Sequence, residues 1–458
     1  MKRESKFRYS KLANILREQI MSGYIKPGNF LMSENDLCNH YSISRTSVRK
    51  SLEQLAQEGL IIKKVGQGTI VNPDLIVENS SDKVLRIFSV SPSHFFDHGL
   101  PLIIEEFEQE NPNVKIKCLN FSANDFWDSV ESSVELGLQP DVILATDRHF
   151  RNADTSLEFL DLMPYLPDYS TMIYPRLREA FLRDQKLQGA ISTFSSVYLT
   201  YNPELFRTHQ VPEPTERWSL EEFLEAAHRL TLDTNGDGIN DQYGLSLSSS
   251  LGRWPVLVLQ NGGGFKANCE KAPLVKTLTL IHDLLYRHRV ATLSPQYLLN
   301  SEAFIKGKAA MMMTTSLEMA GWSDSISGFE PKVASMPFGD HKGTLLTANA
   351  FMVPEASNEQ EMAIRFVQKA LSPSMQEKLG KEANLMSPLR QVNEKNWSTS
   401  LFQSLHINED ITMNSYFIDE LFGDTSDIEE IVKEMHLFWA GIESAEEFAE
   451  KMIAIMNS

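Results

Sequence analysis

The sequence predicts a mixed α/β protein made of a small N-terminal head, residues 1–72, and a large body, residues 84–458, joined by a linker at 73–83. Length is the first reason, because 458 residues exceed what one hydrophobic core usually organises. Charge is the second: residues 1–75 hold 12 Lys and Arg against 7 Asp and Glu, whereas the whole chain carries a formal net charge of -18. A basic head on an acidic body predicts that only the head approaches a polyanion.

The head reads as three helices followed by a β-hairpin. Its first helix has an apolar stripe made of Leu12, Ile15, Leu16 and Ile20. The stretch SENDLCNHYSI predicts a short second helix with Ser33 as its N-cap, and a third helix opens at Ser44. GLIIKKVGQGTIV then reads as two strands around the turn at 66–68. This order is the winged helix-turn-helix plan, in which the second motif helix enters the major groove of DNA.

The third helix carries side chains suited to DNA, since arginine pairs with guanine O6 and N7 and hydroxyls with phosphates. The alternative is a solvated amphipathic helix. The order SENDL…SISRTSVRKSLEQLAQEGLI…GQGTIV resembles the GntR-type DNA-binding domain. That resemblance implies a homodimer on double-stranded, pseudo-palindromic operator DNA, with Arg45 and Arg49 on bases, Ser33 and Thr46 on phosphates, and the wing tip in a minor groove. The residues predicted to contact DNA are Ser33, Arg45, Thr46, Ser47, Arg49, Lys50, Gly66, Gln67, Gly68 and Thr69.

The body opens with alternating strands and helices. VLRIFSVSP, VKIKCLNF and DVILATD read as strands, and the two segments between them, LPLIIEEFEQENP and DFWDSVESSVELGLQP, read as helices. This spacing predicts a parallel α/β sheet. In such sheets ligands bind beyond the carboxyl ends of the strands, which predicts a pocket rim at Ser91, Ser93, Asp147 and Arg148. Asp147 is equally readable as a helix N-cap with no ligand.

Seven phrases in order resemble sugar-type solute-binding proteins over roughly residues 84–450, among them PDVILATDRHF, TYNPELFRTHQVPEPTERWSLEEFLEAAHRL, RWPVLVLQNGGGF and EAFIKGKAAMMM. The resemblance implies a type 2 periplasmic-binding-protein fold, in which two α/β lobes trap a ligand between them. The first chain crossing is expected near ISTFSSVYLTYN and the second near KVASMPFG. Lobe one is expected to hold roughly 84–193 and 338–378, and lobe two the rest.

The same resemblance suggests which side chains contact a sugar. Phe194 and Trp254 are candidates for stacking on a pyranose, although a tryptophan here often packs within the lobe. Thr193, Ser195 and Asn349 are candidates for hydrogen bonds, although Ser/Thr-rich stretches are also common in plain loops. The segment MMMTTSLEM lacks the Gly-x-Trp that the family often has there, which puts an aromatic platform at that spot in doubt.

The loop LDTNGDGINDQYG has the spacing of a calcium-binding loop. The candidate oxygen ligands are Asp233, Asn235, Asp237, the carbonyl of Ile239, and Asp241. The twelfth position, where a bidentate glutamate belongs, is Gly244. A weak structural calcium ion and a metal-free Asx-rich turn therefore both remain open, and no other cofactor is expected.

The sequence contains none of the motifs expected of a catalytic body. GxSxG, HExxH, a P-loop and the lysine context of a pyridoxal-phosphate aminotransferase, which also occurs behind GntR-type heads, are all missing. The N-terminus has no apolar run and the three cysteines are far apart, which predicts a cytoplasmic protein without disulfides or membrane spans. The combined prediction is a transcriptional regulator, not an enzyme, that senses a small molecule. A sugar is favoured over another solute, and Arg148 and Arg253 argue against a cation.

Overall fold

The structure is a computed structural model of the whole chain. It describes residues 12–17, 19–21, 25–40, 44–64, 68–75, 83–135, 137–153, 155–294, 301–322, 328–397, 414–422 and 425–458. The predicted wing-tip residues Gly66 and Gln67 lie outside the described residues. None of the helices within these ranges is long and apolar enough to cross a bilayer.

The head has the predicted winged helix-turn-helix order. Helical residues at 12–17 and 19–21 precede the helices Glu34–His40 and Arg45–Gln57. Strands β1 (Ile61–Lys64) and β2 (Gly68–Val71) then pair antiparallel. The head core contains three of the four predicted stripe residues, together with side chains from every other element: Leu12, Leu16, Ile20, Leu37, Val48, Leu52, Leu55, Ile61 and Val71.

The fourth stripe residue, Ile15, is only 2% exposed but does not join the head core. It belongs to the cluster of buried side chains that forms the core of the first body lobe. Gln19, one turn further along, is also buried. The first helix of the head is therefore covered on one edge by the body, a contact that the apolar stripe alone did not predict.

The body is built from strands connected by helices. Its strands, in chain order, are β3 (Lys83–Ser91), β4 (Val114–Ser122), β5 (Val142–Thr146), β6 (Leu182–Arg183), β7 (Lys186–Leu187), β8 (Ala190–Ser196), β9 (Tyr198–Tyr201), β10 (Tyr243–Ser248), β11 (Ala291–Ser294), β12 (Ala309–Thr314), β13 (Lys332–Ala334), β14 (Leu345–Met352) and β15 (Tyr416–Phe417). Its α-helices are Leu100–Glu110, Phe126–Glu135, Asp147–Arg151, Tyr169–Met172, Pro175–Ala180, Pro203–Thr208, Leu220–Arg229, Pro255–Gln260, Lys271–His282, Glu302–Ile305, Ser316–Ala320, Gln360–Ala370, Pro373–Glu382, Arg390–Asn396, Ile418–Leu421, Thr425–Glu434, His436–Trp439 and Ala445–Met456.

Lobe one is organised around a sheet with the strand order β15-β14-β5-β3-β4, and β8 also pairs with β14. Strand β3 is parallel to both β4 and β5, as the alternation of strands and helices predicts. Strand β14 runs antiparallel to β5 and β8. The carboxyl ends of β3 and β5 therefore meet at one edge of the sheet, where ligands of such folds bind.

Lobe two has its own sheet, with the strand order β11-β10-β12-β9-β13. Strand β10 is parallel to β11 and β12, whereas β9 is antiparallel to β12 and β13. Its buried side chains form a second hydrophobic cluster, separate from that of lobe one. Two separate cores confirm the two-lobed architecture.

The chain crosses between the lobes where the sequence predicts the first two crossings. Strand β8 lies in lobe one and β9 in lobe two, with Val197 between them, and the second crossing connects β13 with β14. The predicted lobe boundary at residue 378 is wrong, because Leu379, Leu389 and Val392 pack in the lobe-one core. A further crossing follows β15, since Phe422 forms a bridge with Phe265 of lobe two.

Candidate functional site

The helix Arg45–Gln57 presents one buried and one exposed face. Ser44 caps it by accepting a hydrogen bond from the backbone N–H of Ser47 at 3.2 Å. Predicted DNA contacts are exposed at Arg45, Thr46, Arg49 and Lys50. Ser47, also predicted to contact DNA, lies instead on the buried face. It is 6% exposed, and its hydroxyl lies 3.0 Å from that of Ser44.

Arg49 is already engaged within the head. Its Nε donates to Oε2 of Glu34 at 2.8 Å, which joins the two helices of the motif. The hydrogen bond to Glu34, followed by the attraction of that carboxylate, raises the pKa of Arg49. Because the Arg49 side chain is 60% exposed, the ion pair is weak and a phosphate or guanine can compete for the guanidinium.

Ser33 acts as the predicted helix cap. Its hydroxyl accepts from the backbone N–H of Asp36 at 3.2 Å and donates to the Asp36 carboxylate at 2.6 Å. In the wing, Gly68 has φ +119°, a conformation that glycine tolerates, and Thr69 is half-buried. The exposed Lys63 and Lys64 pair with these two residues across the hairpin. They add positive charge to the wing. The two lysines in the segment IIKKVGQG indicate this charge in the sequence, although they were not among the predicted contacts.

Asp147 follows β5 but does not form an open pocket rim. The helix cap at this point is Thr146, and Asp147 is 4% exposed. Its Oδ1 accepts from the backbone N–H of Ala348 at 2.9 Å and from the Thr347 hydroxyl at 3.1 Å. Burial raises the pKa of Asp147 to about 6, partly offset by the Ala348 N–H, and the nearby Asp419 raises it further. Asp147 therefore ties β5 to the crossing strand β14.

Arg148 also has a partner within the chain. Its Nε lies 3.5 Å from Oδ1 of Asp419, and Asn152 donates to the other oxygen of that carboxylate at 3.0 Å. The neighbouring Glu420 pairs with both Arg151 and Arg176. These contacts hold the segment after β15 against lobe one. Arg148 therefore helps to position the chain where it crosses between the lobes for the third time.

The predicted hydrogen-bonding residues on β8 are completely buried. Thr193 donates to the carbonyl of Met386 at 2.8 Å, and the Ser195 hydroxyl accepts from the N–H of Ser316 at 2.7 Å. Asn349, on the paired strand β14, is 6% exposed. In this conformation the two hydroxyls stabilise the hinge strand and do not face a ligand.

The two predicted stacking residues are also core residues. Phe194 and Trp254 both have 0% exposure. Phe194 packs on Tyr174, and Trp254 lies between Phe265 and Trp439, with ring centroids 5.9 and 6.3 Å away. Neither ring offers a face to a sugar, which corrects the expectation for both. Ser91 and Ser93 remain half-buried at the end of β3, and Ser93 caps the next turn by accepting from the N–H of Phe96.

The sequence prediction largely missed the polar side chains that lie where the two lobes meet. His94 follows β3 in lobe one, and its ring lies against Gly321. Gly321 ends the helix Ser316–Ala320, which follows β12 of lobe two and packs through Ala320 on the lobe-one core. Near His94, Arg253 Nη2 donates to Glu318 Oε2 at 2.9 Å. The Nε of Arg253 is a buried N–H group without a hydrogen-bond acceptor in the described part of the chain. The Nε1 of Trp322 also lacks one there, but its ring packs with Phe304 and Met312 in a small cluster of its own. All follow carboxyl ends of strands, so the positional rule for parallel sheets would have found them.

The acidic loop of lobe two is a turn closed by its own backbone. The Asp233 carboxylate accepts from the N–H groups of Gly236 and Gly238, each at 2.7 Å, which lowers its pKa. Asn235 and Asp237 accept from backbone N–H groups two residues on, and Asp241 accepts from Thr234. Across the described ranges, no three His, Cys, Asp or Glu side chains converge as metal ligands. The Asx-rich turn therefore describes the loop in this structure, and the calcium site stays a prediction.

Two family models match the chain. Residues 103–403, more than half of it, match the family described as bacterial extracellular solute-binding protein. Residues 8–71 match the bacterial regulatory proteins of the gntR family. Both are families of binding or regulatory proteins.

Curated relatives match over part of the chain. The uncharacterized HTH-type transcriptional regulator YurK of Bacillus subtilis is 33% identical over 126 residues, 25% of this chain and 52% of that protein. The mannosyl-D-glycerate transport/metabolism system repressor MngR of Escherichia coli is 34% identical over 102 residues, 21% of this chain and 40% of that protein. The chain thus spans about half the length or less of these relatives.

Solved structures match the body. The substrate-binding protein Lmo0181 of Listeria monocytogenes, in complex with cycloalternan, has a TM-score of 0.66 at 18% identity, over 82% of this chain and 98% of that one. The maltose/maltodextrin-binding domain MalE of Bdellovibrio bacteriovorus, bound to maltotriose, has a TM-score of 0.64 at 17% identity, over 81% and 98%. At such identities the likeness establishes the fold. The chain belongs to the family of bacterial extracellular solute-binding proteins and carries a GntR-family helix-turn-helix domain at its N-terminus.

Proposed function

We propose that this chain is a one-component transcriptional regulator that binds operator DNA as a homodimer and senses a small molecule between its two lobes. The observation that carries the proposal is the joining of a GntR-family head to a solute-binding body in one polypeptide. The exposed face of the helix Arg45–Gln57 supports DNA binding. The side chains between the lobes support ligand binding.

The contact at Ile15 provides a route between the two activities. Because this residue of the head is buried with the lobe-one core, the head follows lobe one when the lobes move. A ligand that contacts both lobes favours the closed arrangement over the open one. In a homodimer, closure then changes how the two heads meet half-sites spaced by about 34 Å or a multiple of it.

A neutral carbohydrate is the proposed class of effector. Sugar hydroxyls both donate and accept hydrogen bonds, which suits the polar group formed where the two lobes meet by the guanidinium of Arg253, the carboxylate of Glu318 and the nearby ring of His94. The solved relatives with the same fold include proteins in complex with cycloalternan, maltotriose and tagatose. A non-sugar solute is the alternative.

Thermal unfolding against maltose, maltotriose and D-tagatose, followed by a wider sugar panel, tests the sensor. A ligand present at 100 times its Kd stabilises the protein by ~2.7 kcal/mol, which appears as a higher unfolding midpoint. A raised midpoint with one sugar supports the carbohydrate proposal. A flat panel overturns the choice of carbohydrate and leaves DNA binding to be judged separately.

Selection from a random duplex library, followed by fluorescence anisotropy, tests DNA binding. Arg49→Ala is expected to weaken binding of the selected duplex by ~1–3 kcal/mol. Arg287→Ala, an exposed arginine of lobe two, is the control and should leave the affinity unchanged. If no duplex sequence is selected, the proposal that the chain is a DNA-binding regulator is overturned. Light scattering of the protein–duplex complex measures whether two chains are bound.

A further inference from the structure

An apolar surface lies on the wing of the head, on the side turned away from the head core. Residues 28–31 run beside β2, since the N–H of Leu31 donates to the carbonyl of Thr69 at 2.8 Å and Phe30 forms a bridge with Ile70. A third extended segment therefore flanks the hairpin. Side chains of such a segment point alternately to its two faces. Because Leu31 belongs to the head core, Phe30 points away from that core.

Ile62 lies on the same outer side of the wing. It pairs with Ile70, which is buried between Ile62 and Phe30, whereas the neighbouring Ile61 belongs to the head core. Phe30 and Ile62 are 57% and 41% exposed, and Met32, two residues after Phe30, is 50% exposed. We call these three exposed side chains the outer wing face. Grouped apolar side chains that stand in water are typical of interaction sites.

The hairpin that carries this face is basic. Its described residues, 61–64 and 68–71, include Lys63 and Lys64 and no acidic side chain. Both lysines are exposed. Lys64 lies on the outer side of the strand, because it follows Ile62 by two positions. A surface of this charge attracts a polyanion.

The ring of Phe30 extends along β2 to the end of the strand next to the wing tip. A Cβ atom on Gly68 would lie 3.6 Å from Cδ1 of Phe30, in ordinary contact. Gly68 is among the residues predicted to contact DNA, and it pairs with Lys64 across the hairpin. The apolar ring and the lysine are therefore close neighbours. In a DNA backbone, sugars with apolar C–H faces alternate with charged phosphates, so the backbone offers a contact to each.

We propose that the outer wing face packs against deoxyribose groups of duplex DNA while Lys64 contacts a neighbouring phosphate. The inference rests on the proposed function, and it adds apolar contacts to the polar ones that the sequence predicts. The two kinds of contact respond differently to salt. A lysine that neutralises a phosphate releases counterions, so its contribution falls as salt is added, whereas an apolar contact releases none.

The test measures binding of the full-length chain to the duplex selected from the random library, by fluorescence anisotropy at several salt concentrations. Phe30→Ala is expected to bind about 10-fold more weakly at every salt concentration, because the exposed half of the phenylalanine side chain is no longer there to be buried. The slope of log affinity against log salt concentration should not change. Lys64→Ala should instead reduce that slope by about 1.

Ile239→Ala is the matched control, since it truncates an apolar side chain of lobe two that is 69% exposed, and it should bind like the parent chain. Circular dichroism checks that each variant is folded. Equal affinity of Phe30→Ala and the parent chain, or a changed salt slope for Phe30→Ala, would overturn the inference. Light scattering without DNA adds a check: if Phe30→Ala splits an oligomer of the parent chain, the outer wing face joins two chains and the inference is wrong.

The same titrations separate this inference from the proposed function. A parent chain that binds no duplex overturns DNA binding, and the inference falls with it. A parent chain that binds the duplex no better than Phe30→Ala does contradicts the inference alone.

Discussion

The Nε of Arg49 lies 2.8 Å from Oε2 of Glu34, which places an acidic side chain beside an arginine that is predicted to contact DNA. Glu34 begins one helix of the motif and Arg49 lies in the first turns of the other. The pair orients the guanidinium in the free protein. In the proposed DNA complex, a phosphate or guanine would compete with this carboxylate for the guanidinium of Arg49.

Glu34→Gln is therefore expected to strengthen the binding of duplex DNA. The change removes a negative charge from the DNA-facing side and a competitor for Arg49. Exposed ion pairs contribute ~0.2–1 kcal/mol, so the gain should be a few-fold at most and should shrink as salt is added. Fluorescence anisotropy at several salt concentrations measures it. Glu361→Gln, which removes the same charge from an exposed site on the body, is the control. Weaker binding by Glu34→Gln would show that Glu34 instead holds Arg49 in its binding position.

The architecture could be predicted from sequence because its signals are local. The apolar periodicity of the head, the capping residues Ser33 and Ser44, and the alternation of strands and helices in lobe one each lie within a short window. The crossings at Val197 and between β13 and β14 were also placed correctly, because the family resemblance covered both.

The candidate ligand-binding residues could not be predicted equally well, because the exposure of a side chain depends on contacts with residues distant in sequence. Ser195 is polar and near a crossing, yet it is buried by Ser316, 121 positions further on. Asp147 follows a strand end, as a pocket residue should, but β14 covers it. The predicted end of lobe one at residue 378 was wrong for the same reason, because nothing in the neighbouring sequence shows that Leu389 packs on lobe one.

Trp254→Ala is expected to destabilise lobe two by about 3–5 kcal/mol, the usual cost of removing a large buried aromatic side chain. Trp254 is completely buried and packs on Phe265 and Trp439. Urea unfolding followed by circular dichroism measures the loss. Trp254→Phe keeps most of the contacts and should cost clearly less. If Trp254→Ala kept full stability and lost only ligand binding, the side chain would be a ligand contact after all.

Glu420→Gln is expected to loosen the third crossing. Glu420 is 15% exposed at its side chain and pairs with Arg151 and Arg176 of lobe one. Gln removes the negative charge and leaves two partly buried guanidinium groups without it. Breaking buried pairs costs ~3–5 kcal/mol, and partial exposure reduces this to about 2 kcal/mol here. Urea unfolding measures the change. Glu361→Gln, whose side chain is 88% exposed, should change stability by less than ~0.5 kcal/mol and is the control. Equal effects would mean that the Glu420 pairs contribute nothing to stability.

Asp147→Asn is expected to change how stability depends on pH. The pKa of Asp147 is about 6 in the folded chain against an ordinary value of 3.8. The unfolded chain therefore releases this proton at a lower pH than the folded chain does. Between these two values the folded state holds more protons, so stability falls as pH rises and the loss is complete above about pH 6. That difference corresponds to at most roughly 3 kcal/mol.

Asparagine keeps an oxygen that can accept from Ala348 and Thr347 but cannot ionise. The variant should therefore unfold at a higher temperature than the parent chain near neutral pH, and the gap should close as the pH approaches 3.8. Differential scanning calorimetry across this range measures it. Asp128→Asn, which makes the same change at an exposed helix position of lobe one, is the control. A variant that is less stable than the parent at neutral pH would show that the negative charge of Asp147 itself holds β14 in place.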